Sequence, residues 1–161
     1  MKLYYAPGAC SLSPHIVLLE AGAKFDLAKF EFPSKDASDG KNLLAVNPKR
    51  AVPTLQLDNG DVLTEGAVIV QYIADQAGNT MLAPAAGTKE RLKVQEWLNY
   101  IASELHKGFS PLFNPATPDA YKTIVKANLA KQFSYLDKTL ADKYYLTGKN
   151  FSVRMPICSR S

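Results

Sequence analysis

The sequence of 161 residues is poor in the side chains that build metal centres and disulfide frameworks. It has two cysteines, Cys10 and Cys158, far apart and in no CxxC pair, and two histidines, His15 and His106. With so few ligands and no clustered spacing, neither a disulfide framework nor a metal site is expected. Also missing is an apolar run long enough to cross a bilayer, so no membrane partner is expected. No apolar core follows MKLYYAPGAC, as a secretory signal would require, and the expected location is cytoplasmic. The 19 Lys and Arg are dispersed among 15 acidic residues rather than gathered in a block, which argues against a nucleic-acid partner. The net charge of +4 suits a small anionic ligand and an ordinary solvated surface equally. What remains is a composition of the soluble globular kind, 47% hydrophobic and 21% charged. The length suffices for one ordinary domain or two small ones.

The order of elements is more informative. Residues 2–5 (KLYY) read as a strand, followed by the breaker cluster Ala6-Pro7-Gly8-Ala9-Cys10. Leu12, Ile16, Leu19 and Ala21 then recur at helical spacing up to Gly22, with Ser11 and Ser13 as candidate N-caps and Pro14 tolerated in the first turn. Residues 26–32 read as a second strand, completing a βαβ unit with a parallel pair. Thr54-Leu55-Gln56-Leu57 and Val62-Leu63-Thr64 flank Asn59-Gly60, the signature of a hairpin. A helix from near Glu65 carries Val68, Ile69, Tyr72 and Ile73. Residues 77–88, rich in Ala, Gly, Pro and Thr, read as a linker, and everything beyond has helical periodicity. One helix carries Leu92, Trp97, Leu98, Ile101 and Leu105; another opens at Thr117-Pro118-Asp119 with Pro at its first position. The expected fold is α/β: a thioredoxin-like βαβ-ββα domain over residues 1–80, then an all-α domain over residues 87–161.

Cys10 lies between a strand and a helix. The unpaired N–H groups and partial positive charge of a helix start stabilise a thiolate, so a lowered pKa and thiol or disulfide chemistry are expected there. Val52-Pro53 enters a strand after a connecting segment; it is either a cis bond or a trans proline at a strand start. In a thioredoxin-like domain that loop exposes the Val52 backbone to an extended peptide. Glu65-Gly66 opens the next helix, where a carboxylate can meet a ligand's ammonium while free N–H groups receive its carboxylate. The same Glu65 also reads as a simple first-turn acid. Asn99, Ser103, His106 and Lys107 fall along one side of a helix, as a cleft wall or as a solvated face.

Taken together, Met1–Leu12 (MKLYYAPGACSL), Val52-Pro53, Leu63-Thr64-Glu65-Gly66, Glu96–Ile101 (EWLNYI) and Glu104–Lys107 (ELHK) resemble the bacterial beta-class glutathione S-transferases, in order and from Met1 to about Val153. The resemblance implies the two-domain glutathione transferase fold, glutathione as substrate bound between the domains, a hydrophobic electrophile as second substrate, and a homodimer. Carried over, Cys10 lies beside the glutathione sulfur, with Ala9 and Pro53 at the same site. Val52 pairs with the ligand backbone, and Glu65 and Gly66 hold the γ-glutamyl end. Lys35 meets the glycyl carboxylate. Asn99, Ser103, His106 and Lys107 approach from the helical side, with His106 polarising the thiol. Tyr5 is a bystander. The implied reaction is attack of the glutathione thiolate on an electrophile, with thiol–disulfide exchange through Cys10 as a second activity. Two alternatives stand beside it: a glutathione-dependent thiol–disulfide oxidoreductase, and a non-catalytic glutathione-binding product.

The resemblance stops after Val153. Family members continue with a segment like Ala-Asp-Ala-Tyr-Leu-Phe-Thr-Val and further helices, whereas here Arg154–Ser161 reads RMPICSRS. Removing one G from suitable codons for the family segment yields that tail. The expectation is therefore a single-base deletion, a C-terminally truncated helical domain less stable than a full-length relative, and no function for Cys158. Resequencing the coding DNA through the Val153 codon checks it.

Overall fold

The computed structural model describes residues 1–31, 37–146 and 152–153. Four short strands form one sheet in the order β2-β1-β3-β4: β1 (Lys2–Tyr5), β2 (Asp26–Lys29), β3 (Thr54–Gln56) and β4 (Val62–Thr64). The β1 and β2 strands are parallel, as the βαβ reading requires, while β3 runs antiparallel to both β1 and β4. The β3–β4 hairpin turns at Gly60, whose φ of 91° suits a residue without Cβ. Between the strands lie α1 (Leu12–Glu20) and α2 (Leu43–Val46), and α3 (Gly66–Gln76) follows the hairpin. The second strand is shorter than the apolar pattern of residues 26–32 predicts. Beyond Lys29, Phe30 still donates its N–H to Tyr5 O at 2.7 Å and forms an isolated bridge to Ala37.

Alternation along β1 sends Leu3 to one face and Tyr4 to the other. Leu3 and Leu55 meet Val17 and Leu18 of α1 and Ile69, Val70 and Ile73 of α3. Tyr4 meets Ala28, Phe30 and Leu43 across the sheet. Each fully buried aliphatic side chain of this set contributes roughly 1.5–3 kcal/mol. The short α2 helix, which periodicity over four residues cannot reveal, is capped by Asn42, whose Oδ1 accepts from the Leu44 N–H at 2.9 Å. Val94 and Leu98 of α4 (Lys89–Tyr100) join the first core, and so does Val153, whose N–H donates to Leu82 O at 3.0 Å.

The helical part departs from regular periodicity where it matters. Instead of one continuous helix, α4 passes into a π-helical turn (Ile101–His106) and a 3-10 turn (Lys107–Phe109) before α5 (Ser110–Phe113). Burial of Ile101 and Leu105 against Leu136 of α6 (Asp119–Leu140) holds this irregular stretch. The Tyr100 hydroxyl donates to Gln132 Oε1 at 2.6 Å, fixing the turn to α6 from the other side. At Gly108 the backbone comes so close to α6 that a Cβ would stand 3.0 Å from Leu129 Cδ2. Pro118 immediately precedes α6 rather than opening it, a shift of one residue from the predicted start.

Ser11 corrects another expectation. It sits at the start of α1 but makes no capping bond. Its buried hydroxyl instead accepts from the Ala6 N–H and donates to the Ala6 carbonyl, each at 3.1 Å, a carbonyl that also accepts from the Ala9 N–H at 3.2 Å. That bond closes the loop carrying Cys10. The predictions that fall on Lys35 and on residues 154–161, Cys158 included, lie outside the described residues.

Candidate functional site

Strand register gathers three loops at one end of the sheet. Tyr4 pairs with Thr54, and Thr54 pairs with Thr64. The chain leaving β1 toward Cys10, the Val52-Pro53 bond entering β3 and Glu65 leaving β4 are therefore neighbours. Val52-Pro53 is cis. The loop before it is built on Asn47, a buried side chain whose Nδ2 donates to Ala51 O at 3.0 Å and Thr54 Oγ1 at 2.9 Å, while its Oδ1 accepts from the Lys49 N–H at 3.0 Å. A buried amide that satisfies three partners fixes the loop that presents Val52.

These loops form one wall of a cleft of about 400 Å³, a size within the ~300–1,000 Å³ of small-molecule sites. Cys10, Val52, Pro53, Glu65 and Gly66 line that wall, and Ala102, His106, Lys107 and Ser110 line the opposite one. On the helical side Asn99 and Ser103 share a face with His106 and Lys107 by spacing, and so does Ala102, four residues before His106; of these, Ala102, His106 and Lys107 stand beside the cleft. Asn99 and Ser103 are exposed and are not among the lining residues, and Ser103 Oγ donates instead to Glu104 Oε1 at 3.0 Å. Ala9, half-buried in the same loop as Cys10, is likewise outside the lining.

The Cys10 thiol donates to the Val52 carbonyl, with Sγ 3.2 Å from the oxygen. Its environment overturns the expectation of a thiolate. Burial pushes the thiol pKa up, and the Glu65 carboxylate pushes in the same direction. The N–H groups of Cys10 and Ser11 pull it down, as a helix start should, but do not prevail. The free protein therefore carries a protonated thiol at neutral pH. Alkylation of Cys10 by iodoacetamide is expected to keep accelerating as the pH is raised above 7, since only the thiolate reacts. A rate already level at pH 7 would overturn this assignment.

Glu65 holds a backbone conformation rare for a side chain, φ 70° and ψ 111°, and its Oε1 accepts from Lys49 Nζ at 3.0 Å. Lys49 also donates to Thr64 Oγ1 at 2.9 Å. Both partners are more than half exposed, so the pair itself adds little stability. Lys49, Thr64, Ser110 and Ser13 line the cleft without having been predicted. Ser110 lies one turn beyond His106 and was open to the same periodicity argument, whereas nothing in the sequence marks Lys49. Among the described residues no group of His, Cys, Asp and Glu could hold a metal ion, and no helix is long and apolar enough to cross a membrane.

Comparison with known proteins points in one direction. Residues 8–76 match the family model described as "Glutathione S-transferase, N-terminal domain". The chain is 47% identical over 153 residues to glutathione S-transferase GstA of Escherichia coli O157:H7, covering 95% of this chain and 76% of that protein. Among solved structures, a sphingomonad glutathione S-transferase complexed with glutathione superposes with a TM-score of 0.93 at 43% identity. A beta-class enzyme of Sphingomonas chungbukensis superposes with a TM-score of 0.91, also at 43% identity. Each superposition covers 98% of this chain and 78% of the other.

Proposed function

The chain belongs to the glutathione S-transferase family, and on that premise we propose that it binds glutathione in the Cys10 cleft and transfers it to electrophilic small molecules. The observation that carries this reading is the Cys10 thiol 3.2 Å from the Val52 carbonyl, with Glu65 on the same wall. In this reading the ligand's cysteinyl backbone pairs with Val52 in strand-like fashion. Glu65 binds its ammonium, and the N–H groups at the start of α3 receive its α-carboxylate. Gly66 adds no side chain there, although one would fit, since its Cβ would stand 3.6 Å from Pro53 Cγ. His106 and Lys107 close the opposite wall and favour negative charge on the sulfur. Lys35 serves the glycyl end.

Conjugation needs little beyond a held and ionised sulfur. The glutathione thiolate attacks the electrophilic carbon, a new C–S bond forms, and the leaving group departs with its electron pair. The partner is a hydrophobic electrophile. The working unit is a homodimer in the cytoplasm, with residues 1–80 binding glutathione and the helical residues from 87 onward covering it. A second reading, a glutathione-dependent oxidoreductase, draws on the same thiol. The Cys10 thiolate attacks a glutathione mixed disulfide and expels the other thiolate. A second glutathione thiolate then releases oxidised glutathione and restores Cys10.

Cys10→Ala separates the two. Conjugation of glutathione to a chlorodinitrobenzene is expected to survive largely intact, while glutathione-dependent disulfide exchange disappears. Failure of the unsubstituted protein to bind glutathione, measured by calorimetry, would overturn both readings.

A further inference from the structure

Ser13 is the most deeply placed polar side chain at the cleft. It is 2% exposed, and its hydroxyl has no hydrogen-bond partner among the described residues. A buried hydroxyl without a partner is a cost that a fold does not retain idly. The sequence Cys10-Ser11-Leu12-Ser13 places it three residues after the thiol, and the Ser13 N–H donates to Cys10 O at 3.3 Å. Cys10 stands in the turn from which α1 starts, and Ser13 in the first turn of that helix. The Cα–Cβ bonds of α1 lean toward its N-terminus, so Ser13 leans toward the turn that holds Cys10. Both residues line the same cleft.

We propose that Ser13 is a reserve hydrogen-bond donor to the Cys10 sulfur, engaged when glutathione takes over the Val52 carbonyl that the thiol now occupies. The inference rests on the glutathione site proposed above and adds a residue and an order of events to it. In the free protein the S–H proton is held on Val52 O. A ligand backbone N–H is the stronger donor and displaces the thiol from that oxygen. The ligand ammonium simultaneously neutralises Glu65, the carboxylate whose field opposes ionisation of Cys10. Besides burial, which is the largest influence, the groups that keep the proton on Cys10 are thus ones that also bind the substrate: the Val52 carbonyl that holds it and the Glu65 carboxylate. Once both are occupied the thiol proton passes to solvent. The sulfur then accepts from the Ser13 hydroxyl and from the N–H groups of Cys10 and Ser11, with Lys49, His106 and Lys107 as the cationic or titratable groups facing the same cleft. Cys10 becomes reactive only while glutathione is in place.

The test follows thiolate ultraviolet absorbance against pH in a Cys158→Ser background, with Cys10→Ala as blank. It is run without ligand and with saturating S-methylglutathione, which binds but cannot exchange. The midpoint is expected to fall by roughly one pH unit on binding, about a tenfold gain in thiolate at neutral pH. Ser13→Ala is expected to leave the free midpoint unchanged and to remove about half of the ligand-induced fall. Ser13→Thr, which keeps the hydroxyl, restores it. A midpoint unmoved by ligand that calorimetry shows to be bound would overturn the inference. So would a Ser13→Ala variant that titrates like its parent in both states. Absence of S-methylglutathione binding would instead overturn the site reading on which the inference stands.

Discussion

Substituting Glu65 by Gln is expected to weaken glutathione binding by roughly 10- to 150-fold, the factor that corresponds to losing one charge-assisted hydrogen bond of about 1.5–3 kcal/mol. Glu65 is exposed at the cleft rim and its present partner, Lys49, is a flexible surface cation. An arriving ammonium can therefore compete for the carboxylate at little cost to the fold. Glu65→Gly tests the same residue from the other side. A φ of 70° with ψ of 111° lies in a region that side chains avoid, at a cost of order 1–3 kcal/mol. Glycine relieves that strain but adds about 0.4–1 kcal/mol of chain entropy to the unfolded state. A net gain of about 1 kcal/mol in stability is expected, read from the urea midpoint at unchanged slope, together with lost glutathione affinity. Stability gained where binding is lost would identify the strain as part of the site. A destabilised glycine variant, or normal glutathione binding by both variants, would refute the argument. Glu65→Gln should also lower the midpoint of the free Cys10 thiol, because the carboxylate that raised it is gone.

The parts of this protein legible in the sequence are those governed by local rules. Asn59-Gly60 marks a hairpin because such loops need a residue at positive φ, and the hairpin is there with Gly60 at φ 91°. Strand, helix and strand over about thirty residues force a parallel pair, and β1 and β2 are parallel. Cys10, Val52, Pro53, Glu65 and Gly66 sit at element ends, where motif and register place them together. Three features escape because they depend on how the chain closes and packs once folded. The π-helical turn, with Ile101 and Leu105 buried against Leu136 of α6, interrupts the 3.6-residue period that spacing alone assigns to this stretch. The thiol was expected to be acidic from its helix start alone, but burial and Glu65 outweigh two N–H groups. Ser11 looked like a cap until the loop closed and offered it Ala6 on both sides.

Replacing Arg91 by Met is expected to cost about 3 kcal/mol of stability. The Arg91 side chain is 5% exposed, and its two terminal nitrogens reach Asp75 Oδ1 at 2.8 Å and Oδ2 at 2.6 Å. The fork also donates to Pro84 O at 2.8 Å and, through Nε, to Gln71 Oε1 at 3.2 Å. One guanidinium thus joins two positions of α3, the connection after it and α4, which Thr88 caps by accepting from the Arg91 N–H at 3.1 Å. Breaking a buried pair leaves uncompensated polar groups and typically costs about 3–5 kcal/mol. Asp75 is half-exposed and can hydrate, which places the expectation at the lower end. In a chain of this size that is a fall of roughly 6–12 °C in Tm. Lys at position 91 keeps the charge but not the fork, so Arg91→Lys should recover only part of the loss. The exposed Lys93–Glu96 pair is the control, with an expected effect below about 1 kcal/mol that vanishes in high salt. The joint also bears on function, since α3 begins at Gly66 and α4 runs into the turn carrying His106. Loosening it separates the two walls of the cleft, and KM for glutathione is expected to rise in Arg91→Met even at temperatures where the variant stays folded. An Arg91→Met protein within about 0.5 kcal/mol of its parent would show that the sheet core, rather than this guanidinium, holds the helical side in place.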